Sequence, residues 1–162
     1  MEKVKSFWVS GSLYSPPISS GQVNMSIYTE KYQPNTWKHI NPYGEWLSTF
    51  QWKYIATLRP YWRINENTGE TYFNKLIRLN AVESLFYVTE PDEANFNNYH
   101  IHMLINIPYL DEQILSNHIG HKKNTKIVNY LTEVRNNEAV SHYCSKGIGK
   151  GALAHNFYNN KV

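Results

Sequence analysis

Two histidines stand two residues apart in the segment Tyr99-His100-Ile101-His102-Met103-Leu104-Ile105-Asn106-Ile107. Its alternation is that of a β-strand over 99–107, with Tyr99, Ile101, Met103, Ile105 and Ile107 on one face and both histidines on the other. A two-residue strand repeat spans roughly 6.6 Å, close enough for two imidazoles to converge on one ion. Burying them in an otherwise apolar strand costs desolvation unless they gain partners, and a metal ion is one such partner. An ion that works on phosphate favours some oxygen ligation. Glu90, ending the apolar run Leu85-Phe86-Tyr87-Val88-Thr89-Glu90, is placed by hairpin pairing beside the histidines, and Glu93 in the following loop is its competitor. Two imidazoles and one carboxylate leave coordination positions open for a phosphate oxygen and water.

A second group lies downstream, in Tyr143-Cys144-Ser145-Lys146. On a helix, Tyr143 and Lys146 share one face. A tyrosine can attack phosphorus to form a covalent intermediate, and a lysine can balance phosphate charge. Taken alone, the segment reads as a buried face, because Ala139, Val140, Tyr143 and Cys144 form an apolar set at helical spacing.

The elements that must carry these groups follow from periodicity and stop signals. Residues 53–59 predict a strand ended by Pro60, with a turn around Asn67-Thr68-Gly69 and a helix over 71–82. Strands at 85–90 and 99–107 flank the hairpin. Asp111 caps a helix that Gly120 stops, a strand spans 125–134, and a last helix starts at Asn136 or Asn137 and ends at Gly147. This order predicts an α+β fold, a ferredoxin-like (RRM-like) antiparallel sheet with helices on one face. Upstream, 7–13 and 22–28 read as strands, and 31–50 as a partly ordered loop with a short helix near Trp46. The chain is therefore read as a β-rich extension over 1–50, a core over 51–150 and a flexible glycine-containing end over 151–162.

Composition bounds the function. At 162 residues there is room for one domain. No run approaches the roughly 18 apolar residues of a membrane span, and the N-terminus has no secretory pattern, so a cytoplasmic setting is expected. Cys144 is the single cysteine, which excludes an intrachain disulfide and any multi-thiolate zinc site. A net charge of +3 permits nucleic-acid binding without demonstrating it. The 13 tyrosines, 5 tryptophans and 6 phenylalanines offer stacking surfaces for unpaired bases, though most belong in a core.

In combination, the two groups resemble a known family. His-Ile-His-Met-Leu-Ile at 100–105 resembles the second motif of the HUH replication initiators, and Tyr143-Cys144-Ser145-Lys146 resembles their third, Tyr-x-x-Lys. Tyr-Ile-Ala-Thr-Leu-Arg at 54–59, with its Thr57-Leu58 pair, is similar to their weak first motif. The resemblance covers residues 52–150 and implies a single-tyrosine HUH endonuclease. It implies that His100, His102 and Glu90 bind Mg²⁺ or Mn²⁺, and that Tyr143, assisted by Lys146, nicks single-stranded DNA through a 5′-phosphotyrosine. The released 3′-hydroxyl would prime rolling-circle replication of a plasmid or viral genome. Its implied partners are an origin hairpin and a host or viral helicase and polymerase, with the protein a monomer or dimer and no membrane involved. Arg59, Lys122, Lys123 and Lys150 are the candidate contacts to DNA, although a solvated charge run also accounts for Lys122-Lys123.

Positions one turn from Tyr143 are Ala139 and Gly147, so no second tyrosine nucleophile is present. No phosphate-binding Gly-x-x-x-x-Gly-Lys-Ser/Thr loop is found either, so unwinding would fall to another protein. His118-Ile119-Gly120-His121 matches a short synthetase signature but is read as a helix end leading into a basic loop. The rivals are an HUH single-strand transposase, a noncatalytic single-strand-binding module, and a metal-dependent phosphodiesterase using water. A relaxase is disfavoured because its tyrosine lies upstream of the histidines.

Overall fold

The computed structural model describes residues 41–93, 95, 97–120 and 126–160. The strands predicted at 7–13 and 22–28, and Lys122 and Lys123, lie outside the described residues. The elements are α1 (Pro42–Ser48), β1 (Tyr54–Leu58), α2 (Glu66–Leu76), β2 (Ser84–Pro91), β3 (Tyr99–Asn106), α3 (Glu112–Ile119), β4 (Val128–Glu133), α4 (Asn137–Ser145) and β5 (Ala154–Asn159). The strands form one antiparallel sheet in the order β4-β1-β3-β2-β5. Its first four strands have the order compatible with a ferredoxin-like sandwich.

Local chemistry sets the helix boundaries. Asp111 Oδ1 accepts from the Ile114 N–H at 2.7 Å to start α3, and Gly120 ends it at φ 86° in the left-handed region. Asn136 Oδ1 starts α4 by accepting from the Ala139 N–H at 2.9 Å. The short helix expected near Trp46 is α1, with Asn41 as its cap and Pro42 at its first position.

Three expectations are corrected. The turn expected at 67–69 is the first part of α2, which ends at Leu76 rather than Val82. Asn65 Oδ1 accepts from the Asn67 N–H, and the Thr68 hydroxyl accepts from the Asn65 N–H, so residues that signal a turn here make a capping box. Gly69 sits inside the helix because the sheet approaches it closely: a Cβ there would lie 2.4 Å from the Tyr87 ring.

The second correction concerns layering, since helices cover both faces of the sheet. On one face α2 and α3 pack through Tyr72, Phe73, Leu76, Leu115 and Ile119 onto Leu85, Ile101, Met103 and Ile105. On the histidine face, Ile55, Phe86, Val88 and Leu104 join Leu47 of α1, Trp52 and Cys144 of α4 in a second core. Leu104, next after the histidines on that face, is fully buried there.

Third, the end of the chain is not wholly a flexible tail. Residues 154–159 form β5, paired along β2. Gly149 and Gly151, at φ 75° and 113°, build the turn that returns the chain to the sheet. Phe157 then packs into the second core, 4.5 Å from Phe50 and 4.7 Å from Trp46 between ring centroids.

Candidate metal centre

The register of β2 and β3 pairs Glu90 with His100 and Val88 with His102, and β1 sets Thr57 opposite His102. Because side chains alternate, direct partners share a face, and a one-residue slip would send this set to the other side. Glu90, His100 and His102 are buried at 2%, 6% and 3% exposure, where uncompensated polar groups are expensive.

Their ligating atoms converge. His100 Nε2 lies 3.0 Å from His102 Nε2, and Glu90 Oε1 lies 3.3 and 3.2 Å from those two nitrogens. Despite these neighbours, Glu90 Oε1 receives no hydrogen bond of acceptable geometry. The orientation of the imidazoles explains this. His100 Nδ1 stands 2.6 Å from Asp92 Oδ1, and a carboxylate only accepts, so the ring proton belongs on Nδ1 and leaves Nε2 a lone pair. His102 Nδ1 stands 3.0 Å from the Thr57 hydroxyl, which can accept its N–H in the same way. Three acceptors then face one point, an arrangement that fits a cation.

A triangle with edges of 3.0–3.3 Å is what three adjacent ligands present in octahedral coordination with bonds of about 2.1–2.3 Å. Of the two acidic candidates, Glu90 belongs to this triangle. The Glu93 side chain is 92% exposed and lies 3.7 Å from Lys146 Nζ instead.

Charge in the site favours the ligand forms. Burial pushes the Glu90 carboxyl up, but the adjoining His100 and His102 rings and the nearby Lys146 charge outweigh it and hold it at about 2. Burial pulls His102 below its ordinary value, with Glu90 opposing, which favours the neutral, metal-binding imidazole. Asp92 resists burial and is held low by Arg59 and His100.

Helix α4 closes one side of the cluster. The Tyr143 ring packs 4.9 Å from that of His102, and Lys146 Nζ lies 4.1 Å from the Tyr143 ring centre and 3.4 Å from Glu90 Oε1. The close approach depends on Gly147, where a Cβ would lie 2.7 Å from Glu90 Oε2. Tyr143 is half-buried at the margin of the second core, so the apolar reading of its helix face and its place beside the histidines hold together. Burial raises its phenol and Lys146 pulls it back, while Lys146, resisting burial, is kept charged by Glu90.

Among the expected DNA contacts, Arg59 Nη1 is bound to both Asp92 oxygens at 2.8 and 2.7 Å, so its first partner is the residue behind His100. Lys150 is exposed in the turn after α4. Sequence reasoning gave Asp92 no role toward His100 and Thr57 none toward His102. The available signal for Thr57 was a lone hydroxyl in an apolar strand at the parity of the site face.

Fold and site together define an α+β protein with a five-stranded antiparallel sheet and a buried His-His-Glu group able to hold a metal ion, with tyrosine and lysine at its edge. No protein-family model, curated protein or solved structure matches the chain. Among the described residues no helix is long and apolar enough to cross a membrane.

Proposed function

We propose that the chain is a single-tyrosine HUH endonuclease that nicks and rejoins single-stranded DNA, the reaction that initiates rolling-circle replication of a plasmid or viral genome. One observation carries the reading: Tyr143 and Lys146, from a separate helix, meet the Glu90–His100–His102 triangle, with the Tyr143 ring against His102 and Lys146 Nζ beside Glu90. A structural tyrosine needs no metal-ligand set beside it, and a structural metal site needs no ammonium.

Glu90, His100 and His102 would leave positions open on a bound divalent ion, which the resemblance makes Mg²⁺ or Mn²⁺, and such an ion would supply polarisation of a scissile phosphate. The chain's own residues do the rest. Tyr143 Oη attacks phosphorus, the bond to O3′ breaks, and the 5′ end remains on the protein as a phosphotyrosine. The phenolic proton is lost to solvent, and the departing O3′ takes a proton from solvent to become a 3′-hydroxyl. Lys146, held charged beside the ring, offsets negative charge on the phenolate and the phosphate. Attack by a 3′-hydroxyl on the phosphotyrosine reverses the step and rejoins DNA.

The test is a denaturing-gel assay for a covalent protein–DNA adduct, using labelled single-stranded and hairpin oligonucleotide pools with Mn²⁺. Adduct from the wild type, absent from Tyr143→Phe, His102→Ala and metal-free samples, is the expected result. Cleavage that persists in Tyr143→Phe would transfer the reading to water-mediated hydrolysis. Binding with no adduct or cleavage from any pool would transfer it to a noncatalytic module.

A further inference from the structure

Beyond Leu58, β1 leaves the sheet as Arg59-Pro60-Tyr61-Trp62-Arg63, and this stretch faces the β2–β3 hairpin across an open groove of about 560 Å³. Asp92, Asn98 and Tyr99 form the opposite wall. A second groove of about 370 Å³ continues from it, sharing Arg63, Ile64 and Tyr99. We propose that this groove binds an unpaired nucleotide of the DNA strand whose phosphate lies at the Glu90–His100–His102 cluster. The proposal rests on the nicking function above for the identity of the strand, and on the groove itself for the nucleotide.

Three observations favour this occupant. Tyr61 is 80% exposed, the highest exposure among the large hydrophobic residues described, and its ring stands edge-on to Trp62 at 4.9 Å and 85°. That leaves a face of the Tyr61 ring open to solvent, the surface on which an unpaired base stacks without regard to its sequence. Arg59 and Arg63 lie on the same wall, and the single acidic lining residue of the larger groove, Asp92, is neutralised by the two-oxygen contact with Arg59. That leaves Arg63 as the uncompensated charge in the lining of the larger groove, suited to a phosphodiester oxygen, while Glu66 lies in the smaller one. Finally, the groove is continuous with the candidate site, because Asp92, which lines it, contacts His100 Nδ1 at 2.6 Å.

The mixed lining also argues against an apolar peptide. The groove presents guanidinium groups and side-chain amides beside its aromatic rings, the donor set that recognises base edges and phosphate oxygens.

The test measures binding of two fluorescent 20-mers by anisotropy, in the absence of divalent ions so that no cleavage contributes. One is oligo(dT); the other is an abasic deoxyribose-phosphate polymer of equal charge. Wild type is expected to favour oligo(dT) by about tenfold, the value of one good base stack. Tyr61→Ala should bind both polymers alike, near the abasic affinity, and Arg63→Ala should weaken both together. Tyr109→Ala, a comparably exposed tyrosine beyond the opposite end of β3, should behave as wild type. Equal binding of both polymers by wild type, or an unchanged preference in Tyr61→Ala, would overturn the groove assignment. The adduct assay reads the nicking function separately, so a groove that fails with adduct intact, and a groove that holds with no adduct, are distinct results.

Discussion

Asp92 holds His100 from behind, with Oδ1 2.6 Å from His100 Nδ1, while Arg59 Nη1 fixes both oxygens of the same carboxylate. The contact sets the tautomer of His100 and turns its Nε2 lone pair toward His102 and Glu90. Asp92→Ala is therefore expected to lower Mn²⁺ affinity by about 10–100-fold with the three ligands intact, the range seen when a ligand histidine loses its partner. Isothermal titration calorimetry on the folded variant measures it. An affinity within about twofold of wild type would remove Asp92 from the site.

Gly69 sets helix propensity against packing. In an exposed helix interior, alanine in place of glycine gains about 1 kcal/mol. Here its Cβ would lie 2.4 Å from the Tyr87 ring and 2.7 Å from Thr89 Oγ1, and both residues are almost completely buried, so neither can retreat. Overpacking of that kind costs about 1–3 kcal/mol. The clash wins, and Gly69→Ala is expected to lower the urea midpoint. A raised midpoint would show that α2 moves off the sheet at little cost.

Gly69 also marks where the sequence was legible and where it was not. The two strands bearing the site were read almost to the residue, because period-2 alternation and a hairpin are local signals, and the face carrying His100 and His102 followed from parity alone. Asp111 and Gly120 framed α3 for the same reason. What failed depended on distant neighbours. The run Asn67-Thr68-Gly69 resembles a turn unless the approach of Tyr87 is known. The glycines at 149 and 151 suggested mobility because the strand they return, β5, gains its stability from β2 and from Phe50 and Trp46. Covering of the histidine face by α1 and α4 was hidden because Leu47, Trp52, Leu104 and Cys144 are scattered in sequence and meet only in space. Asp92 was missed likewise, its role being defined by a partner eight residues away across the hairpin.

The joint between α1 and α4 should be acid-sensitive. His142 is buried there against Gly44, and burial lowers its pKa below the ordinary 6.5, with Glu138 and Glu45 opposing more weakly. For a group whose folded pKa is depressed, the unfolded chain binds the proton more readily, so stability rises with pH through the window below 6.5 and is lost as pH falls through it. Urea unfolding at pH 7.5 and 5.5 should show wild type losing stability at the lower pH, and His142→Gln losing less. An equal loss in the variant would place the acid sensitivity elsewhere.

The last expectation tests whether α4 fixes the ligand triangle or merely lies against it. Gly147 follows α4, and a Cβ there would stand 2.7 Å from Glu90 Oε2 and 3.4 Å from Glu90 Cβ. Its φ is not among the left-handed values of this chain, so alanine meets a steric objection and no conformational one. Of the two neighbours, the carboxylate end of Glu90 is the softer, since its backbone is held by the pairing with His100 of β3. Gly147→Ala should therefore displace Glu90 Oε1 from its place beside the histidines, leaving the fold in order. Misplacement of a reacting group by about 1 Å can cost on the order of 100-fold in rate. Nicking is expected to fall by at least about tenfold and Mn²⁺ affinity to fall with it, while far-UV circular dichroism stays as in wild type. If affinity and nicking are both retained, α4 has yielded instead of Glu90, and the approach of Gly147 is not what holds the ligand in place.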